Sequence, residues 1–229
     1  APEIEAAAKA IARCGRPMVL SLSPGETPVL RGAHVRQHAQ MWRISDDFWD
    51  EWAQLYAQFT RLENWTPFRG PGSWPDADML PLGRLALGDR DTRFTPDEQR
   101  TLMTLWSIAR SPLIMGGDLR HLDAPTLALL TSREVLAVNQ SSTENAPLFL
   151  DDGTKVWTAR VEGDADRYVA LFNVSDKERE VSVPLSLLGL GERASVRDLW
   201  EGKDLGAVEG RVSARLASHG AGLFRVKGI

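Results

Sequence analysis

Between residues 17 and 140, short apolar runs alternate with stretches that are apolar on one face only, the pattern of an α/β fold. Pro17-Met18-Val19-Leu20-Ser21-Leu22 is nearly all apolar and ends in Ser23-Pro24-Gly25, which predicts a strand buried on both faces and stopped by a turn. Ser111-Pro112-Leu113-Ile114-Met115-Gly116-Gly117 repeats the arrangement. Phe48, Trp49, Trp52, Leu55, Tyr56, Phe59 and Leu62 recur at three- and four-residue spacing and predict a helix lying on a sheet. Thr95-Pro96-Asp97-Glu98 predicts a second helix, with Thr95 as N-cap, Pro96 in the first turn and Glu98 closing a capping box; Leu102, Leu105, Trp106 and Ala109 form its buried face. Thr131-Ser132-Arg133-Glu134 predicts another start of the same kind, and residues 1–16 set Ile4, Ala8, Ile11 and Ala12 on one helical face.

Past Asn145 the period changes. Six short runs rich in Val, Leu and aromatics span 155–161, 167–174, 179–185, 194–199, 211–216 and 222–226. They are separated by turns such as Asp151-Asp152-Gly153 and Glu201-Gly202-Lys203. That spacing predicts an antiparallel sandwich. The chain thus divides into an α/β part, residues 1–143, and a β-domain, residues 144–229.

Composition narrows the functional classes. A formal charge of -4 and a pI near 5.6 supply no basic footprint, which argues against nucleic acid as a partner. No apolar run approaches the ~18 residues of a spanning helix, which argues against a membrane partner. Ala1-Pro2-Glu3-Ile4-Glu5 has neither the basic nor the apolar region of a leader. Cys14, the only cysteine, can form neither an internal disulfide nor a cysteine zinc site. Eight Trp against two Tyr is unusual. Trp52 and Trp106 lie on helical stripes and read as core, whereas Trp42, Trp65 and Trp74 stand beside turns and carboxylates and read as walls of a site.

Two polar groups could carry chemistry. In Trp42-Arg43-Ile44-Ser45-Asp46-Asp47-Phe48, an Arg and paired carboxylates follow a strand-like stretch, where parallel α/β folds place their ligands. The same Asp46 or Asp47 could instead cap the following helix. In Gly70-Pro71-Gly72-Ser73-Trp74-Pro75-Asp76-Ala77-Asp78-Met79-Leu80, an extended backbone would point Asp76 and Asp78 to one side, suiting a divalent cation or sugar hydroxyls, or simply a solvated loop. His34 and His38 have a zinc-like spacing without a third ligand, Ser23 lacks a nucleophile elbow, and no phosphate-binding glycine loop is present. No metal site and no cofactor is assigned.

Four motifs then fall in order: Trp42-Arg43-x-x-x-Asp47; Gly70-Pro71-Gly72-Ser73-Trp74-x-Asp76-x-Asp78-Met79-Leu80; Ser111-Pro112-Leu113-x-Met115-x-x-Asp118-Leu119-Arg120-His121; and Ala137-Val138-Asn139-Gln140. Together they resemble glycoside hydrolase family 27, the α-galactosidases and α-N-acetylgalactosaminidases. Val196-Arg197-Asp198-Leu199-Trp200 and His219-Gly220-x-Gly222-Leu223-Phe224 resemble the family's β-domain more loosely. The resemblance implies a (β/α)8 barrel followed by an antiparallel β-sandwich, and a retaining mechanism with two carboxyl groups about 5 Å apart. It implies Asp47 as acid/base, Arg43 holding a sugar hydroxyl, and Asp78, Met79 and Trp74 in the sugar pocket. Ser23 would face the 2-position substituent, where animal-type α-galactosidases have Glu; a smaller Ser resembles the N-acetylgalactosaminidase solution.

The family's nucleophile, an Asp in a Lys-x-Asp motif on the fourth strand, has no counterpart here, and a whole barrel takes about 250 residues. The expectation is therefore the C-terminal half of a (β/α)8 TIM barrel, strands five to eight, followed by the sandwich. Its partners would be an α-galactoside substrate and the missing N-terminal half of the barrel. Two other readings stand beside it: a non-catalytic sugar-binding module using Arg43, Asp78 and Trp74, and a glycosyltransferase with a metal at Asp76-Ala77-Asp78.

Overall fold

The computed structural model describes residues 2–85, 89–151 and 153–229, without the side chain of Leu150. Asp152, in a turn expected from the sequence, lies outside these residues. Helix α1 (Pro2–Arg13) precedes β1 (Ser21–Leu22), α2 (Gly32–His38), β2 (Met41–Arg43), α3 (Trp52–Trp65) and β3 (Trp74–Asp76). A hairpin, β4 (Arg84–Leu85) and β5 (Arg90–Asp91), then leads to α4 (Pro96–Ala109), α5 (Ala124–Thr131) and α6 (Arg133–Gln140). Strands β1, β2 and β3 form a parallel sheet in that order, and a parallel bridge from Leu80 to Met115 carries the arc further. Parallel strands joined by helices that cover one side are the construction of a (β/α) barrel wall.

Several expected elements are shorter or shifted. The run 17–22 contributes only Ser21 and Leu22 to a strand, and Met18 and Val19 are exposed rather than buried. The reason is that β1 has β2 as its only strand neighbour among the described residues. Residues 111–117 form the single bridge at Met115 instead of a strand. Helix α3 begins at Trp52, with Glu51 as N-cap, four residues after the predicted start. Phe48 and Trp49 stay outside it, their N–H groups donating to Asp78 Oδ2 (2.7 Å) and Gln54 Oε1 (2.8 Å). Neither Asp46 nor Asp47 therefore caps a helix. Thr95 forms the full capping box with Glu98, as the spacing predicts. Thr131 instead ends α5, donating its hydroxyl to the Leu127 carbonyl, and Ser132 takes the N-cap place of α6 without a side-chain bond.

Among the described residues the C-terminal part has eight strands, two more than predicted: β6 (Ser142–Leu150), β7 (Thr154–Val161), β8 (Arg167–Asn173), β9 (Arg179–Pro184), β10 (Arg193–Asp198), β11 (Lys203–Glu209), β12 (Arg211–Leu216) and β13 (Ala221–Gly228). They form a six-stranded antiparallel sheet, ordered β11-β10-β13-β8-β7-β6, facing a two-stranded sheet of β12 and β9. The two additional strands are the edges of the large sheet. β6 contains Pro147 and two register shifts, and β11 is almost wholly exposed, so neither shows a buried alternation.

Central strands of the large sheet are buried on both faces. Val169 and Leu171 of β8 pack with Val181, Val183 and Val212 of the small sheet. Tyr168, Ala170 and Phe172, on the opposite side, join Trp157, Leu223 and the α/β core. Helix α4 fills this seam, and its run from Thr101 to Ala109 is buried throughout. Two of its polar positions are satisfied across the seam: Thr101 Oγ1 donates to the His219 carbonyl (2.6 Å), and Trp200 Nε1 donates to Thr104 Oγ1 (2.9 Å).

His219 locks the same boundary. Its ring stacks on Trp52 (centroids 3.7 Å, planes 7° apart), and its Nδ1 lies 2.8 Å from Glu98 Oε1, its Nε2 3.1 Å from Asp176 Oδ1. Replacing His219 with Ala removes a stacked pair and a half-buried hydrogen bond, for an expected loss of about 2 kcal/mol in urea unfolding. A loss below about 0.5 kcal/mol, ordinary for a surface site, would show that the seam does not depend on it.

Candidate active site

The carboxyl ends of the three parallel strands bring the polar motifs together. Arg43 is the last residue of β2 and is paired in register with Asp76, the last of β3; the Ile44 N–H donates to the Asp76 carbonyl at 2.9 Å. β1 and β2 are paired through Leu22 and Trp42, so Ser23 leaves its strand beside Arg43 and stands exposed. Ser23, Arg43, Asp47 and Asp78 therefore follow the same end of adjacent strands, where barrels carry their chemistry.

Arg43 is the centre of this group. Its buried guanidinium places Nη2 2.7 Å from Asp78 Oδ2 and 3.5 Å from Asp47 Oδ1. The two carboxylates differ in setting: the Asp78 side chain is 14% exposed and that of Asp47 is 85% exposed. Asp78 Oδ2 also accepts the Phe48 N–H, Oδ1 accepts the Met79 N–H, and its carbonyl accepts Trp106 Nε1–H at 2.9 Å. Asp78 has φ 82°, so the backbone leaves the extended form there and Asp76 and Asp78 do not alternate as one strand would require. Asp76 instead folds back, its Oδ1 accepting the Asp78 N–H at 2.9 Å. Met79 is half-buried against Gly116, where a β-carbon would come within 2.5 Å of its sulfur.

Burial, reinforced by the neighbouring Asp78 carboxylate, pushes Asp76 up to about 6 against the opposing pull of the Asp78 N–H and Arg43. The unfolded chain titrates this group near 3.8. Between these values the native state holds the proton more tightly than the unfolded state, so stability falls as pH rises through that window. Asp76→Asn keeps an acceptor oxygen and cannot ionise. Its stability relative to the parent is expected to rise by about 2 kcal/mol between pH 4 and pH 7 in urea unfolding. An equal difference at both pH values would contradict this.

Asp46, adjacent to Asp47 in sequence, turns the other way and ties down the loop after Ser23. Its Oδ1 accepts the Glu26 N–H at 3.0 Å, and Thr27 N–H donates to the Arg43 carbonyl at 3.2 Å. Gly25 (φ 90°) lies under that carboxylate, and a β-carbon there would come within 2.7 Å of Asp46 Oδ1. Asp50 does comparable work for the next loop. Fully buried, it takes both Arg90 nitrogens (2.5 and 2.8 Å) and the Arg93 N–H, joining the start of α3 to β5. These anchors cannot be read from the sequence: Asp50 and Arg90 stand forty positions apart, and nothing local marks either.

The tryptophans do not wall the site. Trp42 and Trp65 are 0% and 1% exposed and pack on each other, centroids 5.7 Å apart. Trp42 is in the core because the side chain before Arg43 faces the helix layer. Trp74 opens β3, at the strand end away from Asp76, and its ring carries the Arg110 guanidinium at 4.7 Å. His34 and His38 have ring centroids 4.7 Å apart, and no group of three or more metal-binding side chains is gathered among the described residues.

Comparison with known proteins agrees with this geometry. The family model described as Alpha galactosidase A matches residues 3–141, and that of the alpha galactosidase C-terminal beta sandwich domain matches residues 151–226. A GH27 β-L-arabinopyranosidase from Geobacillus stearothermophilus is 46% identical with a TM-score of 0.96, over 99% of this chain and 53% of its own. A protein from Bacillus halodurans described as a putative alpha-N-acetylgalactosaminidase is 38% identical with a TM-score of 0.82, over 96% of this chain and 52% of its own. Alpha-galactosidase D of Emericella nidulans is 31% identical over 81% of this chain and 28% of its own. The chain spans about half the length of these solved relatives and less of the fungal one. On the family match, the four ordered motifs and the barrel-plus-sandwich architecture, the chain belongs to glycoside hydrolase family 27.

Proposed function

We propose that this chain carries the acid/base half of the active site of a retaining exo-glycosidase for terminal sugars of galactose configuration. The substrates would be α-D-galactosides and their stereochemical equivalents, β-L-arabinopyranosides, which lack only the exocyclic hydroxymethyl group. The observation that carries this is one exposed carboxylate, Asp47, held 3.5 Å from a buried guanidinium that is itself paired with Asp78. Asp47 as the acid donates its proton to the glycosidic oxygen as a second carboxylate attacks the anomeric carbon. Ionised, and stabilised by Arg43, it then takes a proton from the water that releases the sugar. Asp78 accepts sugar O–H groups with its remaining lone pairs, and Ser23 stands by the 2-position.

The second carboxylate is assigned to the part of the family fold that this chain does not span. Exposed Met18 and Val19 beside β1, and Ile114 near the Leu80–Met115 bridge, support a reading in which further barrel strands cover them. The arabinopyranosidase described above has a variant solved in complex with arabinose, which favours the pentose as a substrate here.

The test is release of 4-nitrophenol from its α-D-galactopyranoside, β-L-arabinopyranoside and α-N-acetylgalactosaminide by this chain joined to the rest of its barrel. Turnover of the first two is expected, the higher kcat/KM naming the preferred sugar. Turnover of the third alone would move the assignment to an N-acetylgalactosaminidase. Saturable sugar binding with no turnover of any would leave a binding module.

A further inference from the structure

At the seam between the amino ends of the barrel strands and the β-domain lies a cavity of about 380 Å³, at the other end of the short strands from the Arg43 group. Arg69, Trp74 and Arg110 line it, together with Thr66, Thr143 and Glu144. Arg110 serves the fold, since its nitrogens donate to the carbonyls of Asn139 (2.8 Å), Gln140 (3.2 Å) and Ser142 (2.5 Å) and place a positive charge at the C-terminal end of α6. Three of its five N–H groups are used in this way, and its charge remains. Arg69 is different. One nitrogen donates to the Asn145 carbonyl, and no other hydrogen bond or ion pair engages its guanidinium among the described residues.

The two arginines thus share a half-enclosed space without a carboxylate in ion-pair contact with either. Glu144 lines the same cavity but is drawn to Arg160, 3.5 Å away, and Glu162 acts on Arg110 only through a longer-range attraction. Burial and the like charge of Arg110 push half-buried Arg69 down to about 10, the direction expected of a cation with no anion beside it. An unpaired guanidinium in such a place is costly, and its planar fork of donors matches a carboxylate or phosphate.

We propose that this cavity binds a small oxyanion group, a carboxylate or phosphate, with Arg69 as its fork, Arg110 as a supporting charge and Trp74 as its floor. The site is independent of the glycosidase assignment, and its test needs no catalysis. Sodium phosphate and sodium D-glucuronate are titrated separately into the protein that joins this chain to the rest of its barrel, at ionic strength held constant with sodium chloride, following melting temperature and intrinsic Trp fluorescence. A saturable response to one or both is expected in the millimolar range. A response to phosphate alone assigns free phosphate or a phosphate ester, and a response to glucuronate assigns an acidic sugar.

Arg69→Gln should weaken the response at least tenfold. Glu144→Gln, which removes the one carboxylate lining the cavity, should tighten it severalfold, a change that misfolding cannot produce. Arg69→Lys should recover only part of the affinity, since an ammonium lacks the fork. A response no greater than that to chloride, or one unchanged in both Arg69→Gln and Glu144→Gln, would overturn the proposal.

Discussion

Asp47→Asn, in the protein that joins this chain to the rest of its barrel, is expected to lower kcat/KM for an alkyl α-galactoside or β-L-arabinopyranoside by about 10²- to 10⁴-fold, the range general acid–base catalysis supplies. The loss should shrink for aryl substrates with acidic leaving groups, which depart with little help from a proton. Stability should change by less than about 0.5 kcal/mol, because the side chain is exposed and its one ionic contact is long. This separation of a large catalytic effect from a small structural one distinguishes Asp47 from its neighbours. Asp46 binds the Glu26 N–H and Asp50 is buried against Arg90, so removing either would act through the loops it holds.

Arg43→Ala should show the opposite balance, with loss of both stability and activity. The guanidinium is buried and compensates the largely buried Asp78 at 2.7 Å. Removing one member of such a pair leaves the other charge without its partner, which costs about 3–5 kcal/mol. Part of that cost belongs to Asp78, so Arg43→Ala combined with Asp78→Asn should be less destabilised than the sum of the single changes by more than about 1 kcal/mol. Urea unfolding of the three variants measures this coupling. Additive losses would mean that Arg43 acts through packing rather than through Asp78. Arg43→Lys is expected to keep part of the stability while losing most activity, because the ammonium ends a shorter side chain and does not reach the point from which Nη2 contacts both Asp78 and Asp47.

What the chain reveals of its fold depends on whether a feature is local. The capping box at Thr95 and Glu98 is a four-residue signal, and the structure forms it as read. Six of the described sandwich strands carry apolar runs bounded by turns and are legible; of the two edges of the large sheet, β6 is interrupted by Pro147 and two register shifts, and β11 is almost wholly exposed around Gly206. The start of α3 is misread because what ends the extended segment is remote: Asp78 takes the Phe48 N–H from thirty positions away.

The site follows the same division. Arg43, Asp47 and Asp78 are legible because motif spacing encodes which strand ends they follow, and the sheet does bring Arg43 to both carboxylates. The positive φ of Asp78, which aims its carboxylate at Arg43, has no mark in the sequence, since Asp enters that region only when its surroundings hold it there. The tryptophans mislead for a related reason. Proximity to carboxylates in sequence suggests a sugar platform, but alternation along β2 sends Trp42 into the core while Arg43 faces the other way.

The central claim, that Asp47 is the acid/base of a retaining glycosidase, is tested most directly by azide rescue of Asp47→Ala on 2,4-dinitrophenyl α-D-galactopyranoside. With a leaving group that needs no acid, the glycosyl-enzyme still forms, and azide, which needs no base, attacks it from the face the substrate once occupied. Faster turnover with azide and an α-galactosyl azide product, the configuration of the substrate, are predicted. A β-galactosyl azide, or no response to azide at all, would contradict it.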